Sequence, residues 1–210
     1  TTTVDSDGVV GSRGVQMAIG VDGLGLIAYE ESTGSDLRVA HCNDLACTSA
    51  ITTTLDSAPS SLNVGSVVIG ADGLGLMMYL VDNDLKAAHC DNLACTSATV
   101  TTLDSVGEIT GLPSVTIGAD GLGIASYTDD TNAQQRVAHC MDVTCSNATV
   151  AVLDKLPSND LDRPNPVVVI GVDGLPLIGY MDSTNNPTNN RRLRVAHCSN
   201  PFCVPYFRRQ

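Results

Sequence analysis

The stretch that decides the fold is Val39-Ala40-His41-Cys42-Asn43-Asp44-Leu45-Ala46-Cys47-Thr48, because it returns three more times along the chain. The related stretches are Ala87 to Thr96, Val137 to Ser146 and Val195 to Val204. Successive copies lie about fifty residues apart, a period typical of repeat architectures. The sequence therefore predicts one supersecondary unit that is repeated four times.

Each unit contains four short apolar or β-branched runs, and in the first unit these are 15–20, 24–29, 37–42 and 50–55. An Asp-Gly pair separates the first two runs in every unit, which is the strongest short signal for a β-hairpin. The pairs stand at 22–23, 72–73, 120–121 and 173–174. A calcium interpretation of these aspartates is weaker, since each turn offers one Asp rather than a series of ligands. We therefore predict an all-β fold of four repeats, each a four-stranded antiparallel sheet like a β-propeller blade.

The ends of the chain are expected to complement each other. Thr1-Thr2-Thr3-Val4-Asp5-Ser6 matches Thr52-Thr53-Thr54-Leu55-Asp56-Ser57, the fourth run of the first unit, and the last unit lacks such a run. We predict that this N-terminal strand completes the last blade, either in the same chain, which closes a ring, or in a neighbouring subunit. A single repeat domain over 1–210 then contains the displaced strand at 1–14 and repeats at 15–63, 64–113, 114–165 and 166–210.

Every unit carries one C-x4-C pair, and an even number of cysteines at fixed spacing predicts disulfides in an oxidising compartment. The pairs are Cys42 and Cys47, Cys90 and Cys95, Cys140 and Cys145, and Cys198 and Cys203. Metal binding by His-Cys-x4-Cys is the alternative. Neighbouring residues of a strand point to opposite faces, and structural zinc takes four ligands, so we expect no metal and no cofactor.

One histidine precedes the first cysteine of each pair, at His41, His89, His139 and His197. These histidines share a strand face with apolar residues such as Leu37 and Val39, which favours a structural, hydrogen-bonded role. A ring of histidines that binds an ion in a central channel is the alternative.

The charge distribution bears on partners and location. A net charge of −12 argues against nucleic acid, and no apolar run is long enough for a membrane span. The chain begins at Thr1 without a leader, so we expect a mature secreted protein, extracellular or at the cell surface, or a fragment of a longer chain.

Basic residues gather near the C-terminus and Asp5 and Asp7 near the N-terminus, which suggests head-to-tail self-association, although a solvated terminus explains the basic tail equally well. The expected assembly residues are Thr1, Thr2, Thr3, Val4, Asp5, Arg208 and Arg209.

Every notable residue occurs once per repeat, whereas an active site needs unlike groups at one place. We therefore predict no catalytic residues and no enzymatic activity. Three features are not repeated: the glycan acceptor Asn147-Ala148-Thr149, the loop 156–166 and the Asn-rich loop 182–192. The expected partners are thus a further copy of the chain and a glycan.

The unit I-G-x-D-G-L-G/P-L-I-x-Y followed by L-R/K-V-A-H-C-x-D-x-x-C resembles a tandem propeller-like repeat of secreted and cell-surface microbial proteins. The resemblance covers nearly all of the chain, and it implies propeller-type folding and an extracellular setting but no reaction. The leading hypothesis is a non-enzymatic structural protein that self-assembles by strand addition into a fibre or surface layer. The alternatives are a lectin-like or ligand-binding propeller that uses the loops 156–166 and 182–192, and, third, a hydrolase.

Overall fold

A computed structural model describes residues 1–156, 165–182 and 192–204, and within these ranges the regular structure is entirely β. The strands form four antiparallel sheets that follow one another along the chain, numbered sheets 1 to 4. Sheet 1 contains Val10–Ile19 (β1), Gly25–Glu31 (β2), Asp36–Cys42 (β3) and Ala50–Ser57 (β4). Sheet 2 contains Leu62–Ile69 (β5), Gly75–Val81 (β6), Asp84–Cys90 (β7) and Ala98–Asp104 (β8). Sheet 3 contains Ile109–Ile117 (β9), Gly123–Asp129 (β10), Gln134–Cys140 (β11) and Ala148–Lys155 (β12), and sheet 4 contains Val167–Ile170 (β13), Pro176–Asp182 (β14) and Arg192–His197 (β15).

The Asp-Gly turns form the hairpins that the sequence predicts. In sheet 1 the amide of Gly20 donates to the carbonyl of Leu24 at 2.8 Å, and Gly23 has a φ of 79°. Glycine reaches this left-handed region without the steric cost that a Cβ would bring. Asp22 Oδ1 accepts a hydrogen bond from the Leu24 amide at 3.0 Å, so the aspartate also closes the turn.

The sheets stack with their first strands side by side, so β1 contacts β5, β5 contacts β9 and β9 contacts β13. Leu26 of sheet 1 packs against Gly75 of sheet 2, where a Cβ would lie 2.4 Å from the leucine side chain. Strands 2 and 3 of one sheet thus bury their apolar side chains on the next sheet, and β6 is buried along its whole length. This is the packing of propeller blades, which confirms the predicted fold class.

A β-bulge in the fourth strand decides which side chains reach the next sheet. Thr54 pairs with Arg38 and Asp56 pairs with Leu37, so Leu55 is the extra residue. Successive side chains normally alternate between faces, and a bulge overrides this rule locally. Leu55 therefore packs in the core between sheets 1 and 2, while Asp56 also reaches across and accepts a hydrogen bond from Tyr79.

Three strands begin earlier than the predicted repeat boundaries. β1 begins at Val10, inside the segment 1–14 that was predicted to be a displaced strand, because a register shift between Val10 and Val15 lets the first strand continue through a bulge. The first strands of sheets 2 and 3 likewise begin earlier than the repeats 64–113 and 114–165, at Leu62 and Ile109.

Sheet 4 has three strands among the described residues, and residues 1–6 are not paired with it. They lie against sheet 1 instead, so the structure does not contain a ring that its own N-terminus closes. None of the elements assigned in the described ranges is a helix that could span a membrane.

Candidate assembly faces at the two end sheets

A contact that we call the inter-sheet clamp joins each sheet to the next. In the clamp between sheets 2 and 3, Asp104 at the end of β8 accepts hydrogen bonds from the Tyr127 hydroxyl at 2.7 Å and from Arg136 at 2.8 Å. Burial, followed by the bond to Asp104, raises the pKa of Tyr127, so its hydroxyl remains a donor. Asp56 makes the same clamp with Tyr79 at 2.7 Å and Lys86 at 2.8 Å. Asp154 makes it with Tyr180 at 2.7 Å and with Arg194.

The N-terminal segment makes a fourth clamp. The carboxylate of Asp5 accepts a hydrogen bond from the Tyr29 hydroxyl and pairs with Arg38 at 2.9 Å. Asp5 therefore has the same position relative to sheet 1 as Asp56 has relative to sheet 2. Residues 1–6 occupy the place of a fourth strand that ends a preceding sheet.

The face of sheet 1 that points away from sheet 2 is largely uncovered. We call it the upstream face, and it presents Val15, Met17, Ile19 and Val21. Met17 is 56% exposed, whereas its counterparts in the later sheets are covered by the sheet before them. Those counterparts, Val67, Val115 and Val168, are 8%, 5% and 3% exposed. Sheet 1 thus has the same apolar face as the others, without a neighbour on it.

A cleft of about 280 Å³ lies between the N-terminal segment and this face. Its walls include Val4, Val15, Ile27, Tyr29 and Ala40. The corresponding tyrosine of sheet 2, Tyr79, lies in one core cluster with side chains of β2 and β3. The cleft is therefore the part of the contact that a preceding sheet would fill.

Sheet 4 presents the opposite face, which we call the downstream face, with Val169, Leu193 and Val195 at its centre. Leu193 is 76% exposed and Val195 is 61% exposed. Their counterparts in sheet 1, Leu37 and Val39, are fully buried against sheet 2. β15 is also the edge of its sheet among the described residues, with one side of its backbone unpaired.

The cysteines form a disulfide inside each repeat, which agrees with the spacing. The bonds join Cys42 to Cys47, Cys90 to Cys95, Cys140 to Cys145 and Cys198 to Cys203. Each closes the connection after the third strand.

Each histidine lies beside the aspartate of the hairpin turn in its own sheet. The distances between Nε2 and Oδ2 are 3.0 Å for His41 and Asp22, 2.9 Å for His89 and Asp72, 2.9 Å for His139 and Asp120, and 2.7 Å for His197 and Asp173. The first three histidines are buried, and the His197 side chain is 53% exposed because none of the described residues forms a sheet over this face of sheet 4. The described residues contain no group of three or more His, Cys, Asp or Glu side chains arranged to hold a metal ion. The contacts of His41 and His89 are hydrogen bonds that join the third strand to the turn. His139 lies at the same distance from its aspartate, but its ring nitrogens are buried without the geometry of a hydrogen bond.

The predicted assembly charges fall into two groups. Asp5 pairs with Arg38, so it is engaged within the chain. Arg208 and Arg209 lie outside the described residues, as do most of the loops 156–166 and 182–192. Asn147 is exposed just before β12, and its glycosylation remains a prediction.

Sequence reasoning missed the role of the clamp aspartates. The signal was present, since Leu-Asp ends the fourth run at 55–56, 103–104 and 153–154, and Val4-Asp5 repeats the pattern. A strict alternation of faces would point Leu and Asp in opposite directions, and only the bulge places both on the following sheet.

No family model and no curated protein matches the sequence. Several solved structures are similar in fold. One is a protein of unknown function from Dyadobacter fermentans, with 13% identity, a TM-score of 0.60, and coverage of 91% of this chain and 62% of that one. The polysaccharide lyase Uly1 gives 10% identity, a TM-score of 0.59, and coverage of 94% and 55%. An exo-β-1,3-galactanase from Phanerochaete chrysosporium gives 13% identity, a TM-score of 0.58, and coverage of 100% and 52%. The chain therefore spans roughly three-fifths of the length of the first two structures, and identities this low show the fold alone.

These similarities overturn the prediction that the chain is not an enzyme. The lyase and the galactanase share its fold, so an architecture of repeated sheets does not exclude a reaction. The argument from repetition was wrong because catalytic groups on such scaffolds can come from loops that differ between repeats.

Proposed function

We propose that the protein assembles head to tail, with residues 1–6 of one copy adding a fourth strand beside β15 of another copy, where the described residues leave the edge of sheet 4 unpaired. The observation that supports this most strongly is the clamp of Asp5 with Tyr29 and Arg38. It holds the N-terminal segment where a preceding sheet would end, and an exposed apolar face lies beside it. Strand addition to a free sheet edge is a common mode of recognition, because backbone hydrogen bonds provide the contact.

The register of this pairing follows from sheet 1, where Thr53 lies opposite Val39 and Asp56 opposite Leu37. By the same alignment, Thr2 of one copy lies opposite Val195 of the other, and Asp5 lies opposite Leu193. In this register the added strand keeps its clamp to sheet 1 of its own chain while it pairs with sheet 4 of the partner.

We place this assembly outside the cell. Four disulfides need an oxidising compartment, and short disulfide loops of this kind are rare in the cytosol. Repeated head-to-tail addition gives a fibre or surface layer if it stays open, and a closed particle if it returns on itself.

The test is association in solution of the full chain and of a chain that lacks residues 1–8. We expect the full chain to associate, two shortened chains to stay apart, and an affinity-tagged full chain to retain a shortened one, which still offers sheet 4. Asp5→Asn should weaken association at least tenfold. Asp7→Asn is the matched control, since Arg38 contacts the Asp7 carbonyl and not its carboxylate. A full chain that is monomeric at every concentration, or a shortened chain that associates equally well, contradicts the proposal.

A ligand-binding propeller is the second candidate. A cleft of about 210 Å³ lies across the first strands of sheets 1 to 4, where it is lined in part by Gln16, Ser66, Ser114 and Asn165. Asn165 belongs to the loop 156–166. The residues that line the cleft are uncharged, so the cleft suits a neutral polar ligand such as a sugar. A thermal-shift screen with neutral oligosaccharides tests this candidate. A shift that Gln16→Ala abolishes supports it, and the absence of any shift up to millimolar concentrations counts against it.

A further inference from the structure

We infer that the partner of the two end faces is a single second copy of the chain, and that two copies close one ring of eight sheets. This inference rests on the proposed function and specifies its stoichiometry. In the ring, the upstream face of each copy covers the downstream face of the other, so two equal contacts form.

The first ground is that the two exposed faces are the two halves of a contact that the chain already makes internally. Between sheets 1 and 2, Leu37 and Val39 pack in one cluster with Val67 and Tyr79. The counterparts of the first pair, Leu193 and Val195, are exposed, and so is Met17, the counterpart of Val67. Tyr29, the counterpart of Tyr79, is 4% exposed and lines the cleft beside the N-terminal segment. The downstream face of one copy can therefore pack on the upstream face of another in the way that sheet 1 packs on sheet 2.

The second ground is the cleft of about 280 Å³ beside Tyr29 and Ala40. In the internal contact, Tyr79 and Ala88 belong to one core cluster that includes Leu37 and Val39 from the third strand of the preceding sheet. Leu193 and Val195 of the second copy are the residues at those positions, and both are exposed. The cleft lining is apolar on the walls formed by Val15, Ile27 and Ala40, as the contact requires.

The third ground is geometric. A head-to-tail contact gives a ring when the rotation from unit to unit closes, and blade-to-blade packing in propellers is such a rotation, typically with four to eight blades. The described residues form four sheets, and among these residues both end faces are uncovered, so they do not close a ring within one copy. Two copies supply eight sheets, whereas three would supply twelve and exceed the range. The two-fold axis of the dimer then coincides with the axis of the propeller.

Light scattering coupled to size exclusion measures this directly on the full chain. We expect a mass of twice 21.8 kDa that stays constant over a hundredfold range of concentration. Leu193→Asp and Met17→Lys should each give a monomer, because each damages both contacts of the ring. Mixing these two variants should restore a dimer, since the mixed pair keeps one contact with the natural residues on both sides.

Ile51→Asp is the matched control. Ile51 is 43% exposed on the outer strand β4, outside both end faces, and the equivalent residues of sheets 2 and 3 are Thr99 and Thr149. The control should stay dimeric, and circular dichroism with intact disulfides confirms that each variant is folded. Oligomers that grow with concentration overturn the ring and leave head-to-tail assembly standing. A natural chain that is monomeric overturns both, and it is also the result expected if the faces are covered by further sheets of a longer polypeptide.

Discussion

Arg38 lies 2.9 Å from Asp5, in the same arrangement in which Arg136 lies 2.8 Å from Asp104. In the second pair the two residues belong to consecutive sheets, 2 and 3. In the first pair the acid comes from a segment that belongs to no sheet among the described residues. Asp5 therefore has the position that the last acid of a preceding sheet would have, and the proposed head-to-tail assembly rests on this contact.

The clamp should contribute to stability in proportion to its burial. The Asp104 and Arg136 side chains are 5% and 11% exposed, whereas Asp56 and Lys86 are 18% and 21% exposed. Asp104→Asn removes a charged acceptor from a buried cation and should lower the free energy of unfolding by about 2 kcal/mol. Asp56→Asn should cost about 1 kcal/mol or less, because solvent screens the more exposed pair. Urea denaturation of both variants measures the difference, and equal losses would argue against this role of burial.

Acid should loosen the third cysteine loop. The hydroxyl of Ser146 is the main cause that lowers the pKa of Asp142 to about 2, with the Ser146 amide and Thr144 adding to the effect. A carboxyl with a depressed pKa stabilises the fold above its unfolded pKa of about 4, and this contribution is lost as the pH falls from 4 to 2.

Asp142→Asn should therefore reduce the dependence of Tm on pH between 4 and 2, by an amount equivalent to under about 1 kcal/mol. Thermal melts at pH 5, 4, 3 and 2 compare the variant with the natural protein. The second loop carries Asn92 at the same position, where it accepts a hydrogen bond from the Thr96 amide, so the substitution fits the loop. An unchanged pH profile would mean that Asp142 is not a source of acid sensitivity.

The disulfides should stabilise the fold moderately and independently. A loop of six residues gives about 2 kcal/mol by the chain-entropy relation. Replacing Cys140 and Cys145 together by alanine should therefore lower the unfolding free energy by about that amount. The other three bonds remain in this variant, so mass spectrometry should show a gain of about 6 Da on reduction, two hydrogens for each bond, instead of about 8 Da. A variant as stable as the natural chain would contradict the estimate.

Close packing between sheets should exclude a side chain at Gly123 but tolerate one at Gly179. A Cβ at Gly123 would lie 2.6 Å from Leu76 of the preceding sheet and 2.9 Å from the sulfur of Cys140. Gly123→Ala should destabilise the chain by about 1–3 kcal/mol through overpacking. Gly179 is the matched control within the last sheet, since a Cβ there meets nothing within 4 Å. Thermal unfolding of the two variants under conditions where the protein is monomeric separates them, and equal Tm values would contradict the packing account.

Much of the fold could be predicted because the period and the turns are local signals. Asp22-Gly23 and its three copies determine the hairpins, and the spacing of Cys42 and Cys47 determines a bond that a short loop permits. The beginning of β1 at Val10 was missed because a bulge extends the strand past the apolar run at 15–20.

The candidate site was harder to predict, because it depends on what a residue faces across two sheets. Leu193 and Leu37 are the same residue in the same motif, yet one is 76% exposed and the other fully buried. The sequences around the two leucines are alike, and their exposed fractions differ because sheet 2 covers Leu37 whereas no described sheet covers Leu193. The opposite charges at the two termini suggested a direct attraction, but Asp5 is already neutralised by Arg38.

The most direct test of strand exchange is a cross-link between two separately prepared variants, Thr2→Cys and Val195→Cys. Thr53 pairs with Val39 in sheet 1, and the proposed pairing therefore puts Thr2 of one copy opposite Val195 of another. After mixing under mild oxidation, the account predicts a covalent heterodimer on a non-reducing gel, and little product when Thr2→Cys is mixed with Val106→Cys, an equally exposed site away from the last sheet. Equal products from both mixtures, or none from either, would contradict the claim that residues 1–6 complete the last sheet of a second molecule.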